Sequence, residues 1–351
     1  MPTEKNAYAP GSPVIFCPLP RPPVRPMDDL IDSTATWVRK FGFARDDKHA
    51  AFLATAGVGY TMYVCHYARP EVLEYLCRYG AWGFHLDDIS EAPRYTRRQP
   101  ELTLLLARLT RIVEVPASQP WGQDPVLDAG RDLITCLARH TSPTLMRRLS
   151  GSFRQWMFGN LTEVSQRSLG YPADLDAYLR LRAGAVGGEN GVALGEVALG
   201  VELPSQERDR PAVRAACEAA ILTAALDNDR YSLAKSVHSD EDSPDIFTLI
   251  HRDNPDLSFP ETLATAVALR DRIFSRYLAL RTQLSRDGSA ELRRYLVVLD
   301  ALVAGNLVFG SIASRYFSPD TSSVDLPWSD TPSDPNPDPP PLPTIAWWWD
   351  V

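Results

Sequence analysis

The spacing of apolar residues in the middle of the chain most constrains its fold. They recur at three- and four-residue steps, as in ETLATAVALRDRIFSRYLALRTQL and ELRRYLVVLDALVAGNLVFGSIASRYF. This spacing places apolar side chains on one face of an α-helix, and alternating runs of strand type with turn signals are missing. The sequence therefore predicts an all-α fold, with about ten helices filling the available length.

Proline marks the ends of this helical region. Eight of the 30 prolines lie in residues 1–26 and nine lie in residues 319–351. We therefore predict a proline-rich N-terminal arm (1–26), an α-helical domain (27–318) and a proline-rich C-terminal tail (319–351). Both ends are expected to be extended or disordered. The tail finishes in three consecutive tryptophans, which leaves open that it docks on the helical body or on a partner.

Composition excludes several classes of protein. Hydrophobic residues make up 44% and charged residues 23%, as expected of a globular domain. The net charge of -8 and the lack of a long basic run argue against a nucleic-acid partner. Five widely spaced cysteines without a CxxC pair argue against a disulfide framework or a structural zinc site, and they favour the cytoplasm. No signal peptide and no membrane-spanning segment are expected.

The first candidate site is the acidic motif in FHLDDISE. Asp87, Asp88 and Glu91 form a DDxxE pattern. In a helix, Asp87 and Glu91 stand at i and i+4 and share one face. Paired carboxylates suit hard cations such as Mg²⁺, which prefer oxygen ligands. The flanking aromatic residues Trp82 and Phe84 suggest the wall of a cavity, although a solvated helix end is the alternative.

A second acidic motif lies near the N-terminal arm. Asp28, Asp29 and Asp32 form a DDxxD pattern directly after the proline-rich stretch PLPRPPVRPM. A helix is expected to begin at this point, and acidic residues in a first turn interact favourably with the helix dipole. We therefore interpret this motif as a helix start and not as a metal site.

A polar face in ALDNDRYSLAKS is the next candidate. Asn228, Ser232 and Ser236 stand at i, i+4 and i+8, so they share one face of a predicted helix. Amide and hydroxyl oxygens can bind Mg²⁺. Asn and Ser are also poor choices for a helix interior, because their side chains compete with the backbone for hydrogen bonds. The alternative is that these residues are incidental.

Cationic side chains complete the set of candidates. Arg182 precedes the glycine-rich stretch AGAVGG, which should break a helix. A guanidinium at such a break can bind a diphosphate through paired hydrogen bonds. Arg315 and Tyr316 close the last predicted helix and could also reach phosphate oxygens. The alternative for each arginine is a capping role at a helix C-terminus.

Together these fragments resemble the class I terpene synthases of bacteria and fungi, in order and spacing as well as in pattern. The aspartate-rich motif of that family resembles Asp87–Glu91. Its second metal motif, NDxxSxxKE, is similar to NDRYSLAKS at residues 228–236. The diphosphate-sensing arginine corresponds to Arg182, and the terminal Arg-Tyr pair corresponds to Arg315 and Tyr316. The match covers roughly residues 13–318, and its spacing excludes Asp28 as part of the first metal motif.

The resemblance implies a single-domain helical bundle around a central active-site cavity, the class I isoprenoid synthase fold. It implies a cytoplasmic lyase that ionises a linear isoprenyl diphosphate and cyclises the carbocation, and it allows a homodimer. Three Mg²⁺ ions, with Mn²⁺ as a substitute, would bind the carboxylates and the polar face. The implied metal ligands are Asp87, Glu91, Asn228, Ser232 and Ser236. Asp88 is a further catalytic candidate, and Arg182, Lys235, Arg315 and Tyr316 would neutralise the diphosphate. Aromatic candidates for steering the cation are Phe84 and Trp156, followed by Trp82, Phe158, Tyr60 and Phe309.

One position departs from the family pattern and keeps alternatives open. Ser236 stands where the family has Glu or Asp, which should weaken one metal site. A catalytically impaired isoprenoid-diphosphate-binding protein is therefore an alternative. A chain-elongating prenyltransferase, which needs two aspartate-rich motifs, and an unrelated helical bundle are others. Stretches rich in Ala and Gly, ATAGVGYTMYVCHYA and AACEAAILTAAL, favour geranylgeranyl diphosphate slightly over farnesyl diphosphate as the substrate.

Overall fold

The computed structural model describes residues 13–118, 124–169, 174–236, 245–316 and 327–351. The side chains of residues 93, 96 and 234–236 lie outside this description, so the predicted roles of Lys235 and Ser236 are not tested by it. Residues 1–12 of the predicted arm, 319–326 of the predicted tail and 317–318 at the end of the predicted helical domain also lie outside the described residues.

The described residues are almost entirely helical, which confirms the predicted all-α class. The helices are α1 (Asp28–Phe41), α2 (Asp47–Val64), α3 (Pro70–Glu91), α4 (Pro93–Arg97), α5 (Gln99–Glu114), α6 (Pro125–Ala138), α7 (Pro143–Leu169), α8 (Leu175–Ala185), α9 (Gly188–Leu199), α10 (Ser205–Arg208), α11 (Pro211–Ser236), α12 (Ile246–Asp253), α13 (Phe259–Asp287), α14 (Ala290–Ile312) and α15 (Pro343–Ala346). Two 3₁₀ turns cover Ser314–Tyr316 and Trp347–Asp350, and two strands, β1 (Ile15–Phe16) and β2 (Trp328–Ser329), are two residues long. The number exceeds the predicted ten because several connections contain helices of four or five residues.

The chain divides into two compact units. The N-terminal unit comprises Pro22–Gly170 and Gly184–Glu202, and the C-terminal unit comprises Met1–Arg21, Tyr171–Ala183 and Leu203–Val351. The first contains α1 to α7 and α9, and the second contains α10 to α15 and most of α8. The predicted domain boundaries near residues 26 and 318 stay predictions.

Glycine allows α2 and α3 of the N-terminal unit to approach closely. A Cβ added to Gly57 would lie 2.2 Å from the backbone nitrogen of Ala81. A Cβ added to Gly80 would lie 2.7 Å from the carbonyl oxygen of Gly57. Only glycine permits such backbone proximity. The small residues of ATAGVGY therefore serve helix packing, and they are not evidence of extra room for a C20 substrate.

Aromatic stacking anchors α3 in the core of the same unit. Trp82 is fully buried, and its ring stacks on Phe153 of α7 with centroids 5.5 Å apart. Its Nε1 donates a hydrogen bond of 3.0 Å to the carbonyl oxygen of Val126. A buried indole whose N–H is satisfied contributes apolar contact without a desolvation penalty. Trp82 is thus a core residue, which corrects its interpretation as part of a cavity wall.

Helix α11 is the centre of the C-terminal unit and packs against α13 and α14. The alanines of its stretch AACEAAILTAAL (residues 215–226) are buried, and Asn306 of α14 donates a hydrogen bond of 3.1 Å to the carbonyl oxygen of Ala224. The buried Arg270 of α13 forms two hydrogen bonds of 2.8 Å with the carboxylate of Asp227. Small side chains let the neighbouring helices come close to α11, so AACEAAILTAAL also serves packing.

Helix α14 is the one helix in the described part of the chain with the length and apolar composition of a membrane span. Its mean hydropathy is 1.8, and 67% of the apolar window is buried. The sequence had predicted no such apolar run. Burial of this extent is that of a core helix, because a span in lipid would present most of its surface outward.

The terminal segments of the C-terminal unit are ordered and packed. β1 pairs with β2 in parallel, with Ile15 opposite Trp328. Trp348 is only 2% exposed, and Arg276 donates hydrogen bonds to the carbonyl oxygens of Trp348 (2.8 Å) and Val351 (2.7 Å). The expectation of a disordered tail is therefore wrong for residues 327–351. Burial of a large indole offsets the entropy lost on ordering, which proline had already reduced.

Candidate functional site

The acidic motif forms a compact cluster in the last turn of α3. Each of the three residues, Asp87, Asp88 and Glu91, offers a carboxylate oxygen, and these three oxygens lie within 4.8 Å of one another. All three residues are half-buried. Three carboxylates at this distance repel one another, and a bound cation relieves this repulsion. No other group of three His, Cys, Asp or Glu residues in the described ranges is close enough to hold a metal.

The end of α3 fixes the position of this cluster. The helix stops at Glu91, because Ala92 is extended and Pro93 opens α4. Arg167 of α7 donates a hydrogen bond of 3.4 Å to the carbonyl oxygen of Ser90, one of the free carbonyls of the last turn. A guanidinium at a helix C-terminus interacts favourably with the dipole. The acidic turn is therefore held at its end by α7.

Two histidines near the acidic turn are disposed to be neutral. Burial lowers the pKa of His85 to about 4. Burial, then Arg45, lowers the pKa of His49, and the Asp88 carboxylate opposes this shift. The ring centroids of the two histidines are 5.9 Å apart. At neutral pH the His85 ring carries no charge, so it does not cancel the negative charge of the carboxylates.

The N-terminal acidic motif has a different setting. Asp28, Asp29 and Asp32 are all exposed, and the first two stand in the first turn of α1. This placement agrees with the interpretation as a favourable helix start.

A hydrogen-bonded network surrounds Asn228 in the C-terminal unit. Arg182 Nη2 donates to Asn228 Oδ1 at 2.8 Å, and Arg182 Nε donates to Asp229 Oδ1 at 2.7 Å. Asn228 Nδ2 donates to the hydroxyl of Tyr316 at 2.9 Å. The structure thus brings together three residues that the sequence singled out in three separate segments. Because arginine can only donate, the amide orientation of Asn228 is fixed.

Sequence reasoning missed two members of this network. The Tyr178 hydroxyl donates to Asp229 Oδ2 at 2.5 Å, on the carboxylate that also binds Arg182. Burial raises the pKa of Tyr178 well above its usual value, and the Asp229 charge adds to this effect. Tyr178 stands at i-4 from Arg182 on α8, so helical spacing could have pointed to it. Asp229 was visible only as the second residue of the NDxxS pattern.

The remaining polar candidates lie close to Asn228 in the chain or in space. Ser232 is half-buried and stands one turn further along α11. Arg315 is half-buried, and its guanidinium lies 5.8 Å from the ring centroid of Tyr316. Arg182 and Arg315 bring guanidinium donors to this part of α11, and Asp229 balances the charge of Arg182. Guanidinium donors suit an anion such as a diphosphate.

The aromatic candidates occupy diverse positions. Phe84 is half-buried and meets Tyr60 edge to face at 5.9 Å. Trp156 is buried, and its indole lies beside Gly187, where an added Cβ would be 3.1 Å from the ring. Phe309 is buried against Tyr316. Phe158 is 68% exposed, so its interpretation as a cavity residue is wrong.

The predicted helix break after Arg182 is present. α8 ends at Ala185 and α9 begins at Gly188, and the intervening Gly187 has a φ of +69°. A residue with a side chain would be strained in this left-handed conformation. The glycine at position 187 therefore accounts for the break between α8 and α9.

The two oxygen-rich faces fit metal ions. Carboxylates at the end of α3, and the amide and hydroxyl oxygens of Asn228 and Ser232, are all hard donors suited to a divalent cation that prefers oxygen. No thiolate or imidazole belongs to either set, which disfavours zinc.

Comparisons with known proteins agree with this chemistry. The family model of terpene synthase family 2, C-terminal metal binding, matches residues 78–274, more than half of the chain. The chain is 30% identical to spiroviolene synthase of Streptomyces violens, covering 96% of both chains. It is 32% identical to the diterpene cyclase DtcycB of a Streptomyces species, covering 95% of this chain and 96% of that one.

Solved structures give the same answer. The crystal structure of a mutant of the SVS_A2 protein, from ancestral sequence reconstruction, superposes with a TM-score of 0.85 at 31% identity. The match covers 96% of this chain and 98% of that chain. The chain therefore belongs to the metal-binding terpene synthase family, and it is a class I terpene synthase, as the order and spacing of its motifs predicted.

Proposed function

We propose that this enzyme is a Mg²⁺-dependent diterpene cyclase that ionises geranylgeranyl diphosphate and cyclises the resulting allylic cation. The observation that carries the proposal is the network in which Arg182, Asn228 and Tyr316 meet. In this network the side chain of Asn228, whose oxygen can bind a metal ion, is hydrogen-bonded to a guanidinium that can bind diphosphate and to a phenol. Such a set is suited to stabilising the negative charge that develops on a departing diphosphate.

Magnesium is the proposed metal, and Mn²⁺ is a substitute. Asp87 and Glu91 of α3 form one set of proposed ligands for three ions, and Asn228, Ser232 and Ser236 of α11 form the other. The close carboxylates of the first set and the neutral oxygens of the second support this assignment. When bound, the ions supply Lewis acidity that weakens the bond to the diphosphate.

The side chains of the enzyme bind and orient the diphosphate. Arg182 and Arg315 supply hydrogen bonds to its oxygens, and Tyr316 adds a phenolic donor. Lys235 is assigned to the same role from its place in the second motif. Charge-assisted bonds of this kind are short and about twice as strong as neutral ones.

Aromatic side chains guide the carbocation after ionisation. Phe84 and Tyr60, which are half-buried, and Trp156, which is 8% exposed, are the candidates, whereas Phe309 is 2% exposed and is a core residue as Trp82 is. The negative face of an aromatic ring attracts a cation by about 0.5–2 kcal/mol. Apolar walls also exclude water, which would otherwise quench the cation.

The C20 substrate is proposed because one close relative is itself a diterpene cyclase. The glycines of α2 no longer support this choice, because they pack against α3. Farnesyl diphosphate is the alternative, with a sesquiterpene as the product.

One experiment tests the function and its alternatives together. The purified enzyme is incubated with Mg²⁺ and the C10, C15 or C20 diphosphate, and released diphosphate and extracted hydrocarbons are measured. A cyclic C20 product with stoichiometric diphosphate supports the proposal. Cyclic C15 product alone overturns the chain length. Binding without release identifies an impaired binding protein. Longer linear diphosphates, formed when isopentenyl diphosphate is added, identify a chain-elongating prenyltransferase.

Two further proposals concern the location and the oligomeric state of the protein. We place the enzyme in the cytoplasm, where its cysteines, all free in this structure, would stay reduced. A homodimer is proposed from the family resemblance, and light scattering after size exclusion tests it.

A further inference from the structure

The C-terminal segment, residues 327–351, crosses several helices of the C-terminal unit. It begins at β2 beside β1 and ends where Arg276 binds the carbonyl oxygen of Trp348. Between these points its contacts with the helical body include the hydrogen bonds of Ser333 and Thr344 and the ion pair of Asp334 with Arg272 at 3.8 Å. Nothing in the proposed reaction uses this segment.

The contacts of Ser333 and Thr344 have the same chemistry. The N–H and hydroxyl of Ser333 donate to Asp271 Oδ2 at 2.8 and 2.7 Å. The N–H and hydroxyl of Thr344 donate to the two oxygens of Asp176 at 2.8 and 3.0 Å. In each case one residue of the segment satisfies one carboxylate with two donors. The contacts differ in the helix they reach: Asp271 belongs to α13 and Asp176 to α8.

Helix α8 is a short element that carries Arg182. It has 11 residues, and isolated helices of fewer than about 12–15 residues are marginal in water. Tertiary contacts must therefore fix its position. Tyr178 and Arg182 provide them through Asp229, as described above. Asp176 provides another through Thr344, in the first turn of α8.

The contact of Thr344 with Asp176 can affect the position of Arg182, because both residues lie on the same short helix. Asp176 and Arg182 are six residues apart, about 9 Å along the helix axis. If the first turn is released, α8 can tilt about its contact with Asp229. A displacement of about 1 Å at a group that must meet an anion can cost on the order of 100-fold in rate.

We propose that Thr344 of the C-terminal segment is a positioning residue for Arg182, acting through Asp176 at the start of α8. This inference rests on the proposed role of Arg182 in binding diphosphate. The C-terminal segment then contributes to diphosphate binding by holding α8 in position, although the segment itself touches no substrate.

The test compares Thr344→Val with the matched control Ser333→Ala, since each removes one hydroxyl donor to a carboxylate. Inorganic diphosphate is titrated by calorimetry in the presence of Mn²⁺, and kcat, KM and Tm are measured for each variant. Thr344→Val should raise the Kd of diphosphate about two- to fivefold, because at most the ~1 kcal/mol of this hydrogen bond can be transmitted to binding. Ser333→Ala should leave Kd within twofold, and Thr344→Ser should restore the parent value.

Variants of Asp176 and Arg182 test whether Thr344 acts through these two residues. In an Asp176→Ala background, Thr344→Val should change Kd no further, because the shared contact is already absent. If Thr344→Val and Ser333→Ala change Kd equally, or if Thr344→Val leaves it unchanged, the positioning role is overturned. Arg182→Met separates the two proposals. If this variant binds diphosphate as well as the parent, the proposed role of Arg182 has failed, whatever Thr344 does.

Discussion

Arg182 Nη2 lies 2.8 Å from Asn228 Oδ1, the oxygen assigned to a metal ion. A guanidinium and a divalent cation bound to this one oxygen repel each other, because both are positively charged. Metal binding at Asn228 is therefore favoured when Nη2 moves to another acceptor, and a diphosphate oxygen is suited to that role. Arg182 Nε can keep its bond to Asp229 throughout, since it is a separate donor. Metal and diphosphate binding are thus expected to be coupled at this residue.

This coupling predicts opposite effects of Arg182→Met on two ligands. Without diphosphate, Mn²⁺ should bind the Asn228 face more tightly, by roughly three- to tenfold, because a competing charged hydrogen bond of about 1 kcal/mol or more is removed. Diphosphate should bind more weakly, and turnover should fall by about 100-fold or more. Electron paramagnetic resonance of free Mn²⁺ and a turnover assay measure the two effects.

The matched control is Arg180→Met, on the same helix. Arg180 is exposed, so this variant removes the same charge away from Asn228. It should leave both affinities within twofold of the parent. Weaker Mn²⁺ binding in Arg182→Met without diphosphate would contradict the competition.

The acidic turn of α3 predicts a clear contrast between two aspartates. Asp87→Asn should reduce turnover by at least about 100-fold, because a metal ligand loses its charge. Asp28→Asn should leave turnover within a few-fold, since Asp28 is exposed in the first turn of α1. Turnover with Mg²⁺ and circular dichroism of both proteins give the answer. Loss of activity in Asp28→Asn but not in Asp87→Asn would reverse the site assignment.

Motif spacing was enough to find the polar candidates, because helical periodicity carries over directly into shared faces. It predicted the all-α class and a helix break in the glycine-rich stretch after Arg182, and it singled out Arg182 and Asn228 separately. It could not reveal contacts that depend on how distant helices pack. Helical spacing places Tyr178 on the face of Arg182, and Asp229 belongs to the NDxxS pattern, but their hydrogen bond depends on how α8 packs against α11.

Composition was a weaker guide than spacing. Glycine and alanine in α2 suggested an enlarged cavity, yet Gly57 faces the backbone of α3. Proline in the C-terminal segment suggested disorder, yet Trp348 is buried. A residue count says how much surface or volume is available. It does not say which neighbour uses it.

Gly57→Ala should destabilise the N-terminal unit. The added Cβ would lie 2.2 Å from the backbone nitrogen of Ala81, and backbone cannot move aside as a flexible side chain can. Overpacking of this kind costs about 1–3 kcal/mol, more than the ~1 kcal/mol that alanine gains in helix propensity.

Gly151→Ala is the control for this variant. Gly151 also lies inside a helix, but an added Cβ there has nothing within 4 Å. Gly151→Ala should therefore be neutral or stabilising. Urea denaturation of both variants measures the difference, and equal effects would show that the close approach of α2 and α3 tolerates a methyl group.

The C-terminal tryptophans predict a stability effect of unequal size. Trp348→Ala should cost about 3–5 kcal/mol, because it empties a buried site and removes the bond from Trp348 Nε1 to Glu218. Trp347→Ala should cost much less, since Trp347 is only half-buried. Thermal unfolding followed by circular dichroism compares them. Equal melting temperatures for Trp348→Ala and the parent would show that the segment docks without stabilising the fold.

The last prediction concerns Ser236, where this chain departs from the family pattern. Helix α11 extends to Ser236, so this residue stands at i+4 from Ser232 and shares its face. A neutral ligand in place of a carboxylate lowers the negative charge around one Mg²⁺ ion. That ion should then depend more on the phosphates of the substrate, and a higher Mg²⁺ concentration should compensate by mass action.

Ser236→Glu should therefore lower the half-saturating Mg²⁺ concentration by about tenfold, which is within the range seen when supporting groups of metal sites change. The competing account is that Asp240 or Glu241, which lie outside the described residues, already supplies the missing charge. Ser236→Glu would then leave the Mg²⁺ dependence unchanged or worsen it by crowding like charges, and Asp240→Asn or Glu241→Gln would be the damaging change. Mg²⁺ titrations of these variants and the parent, at saturating substrate, decide between the two accounts.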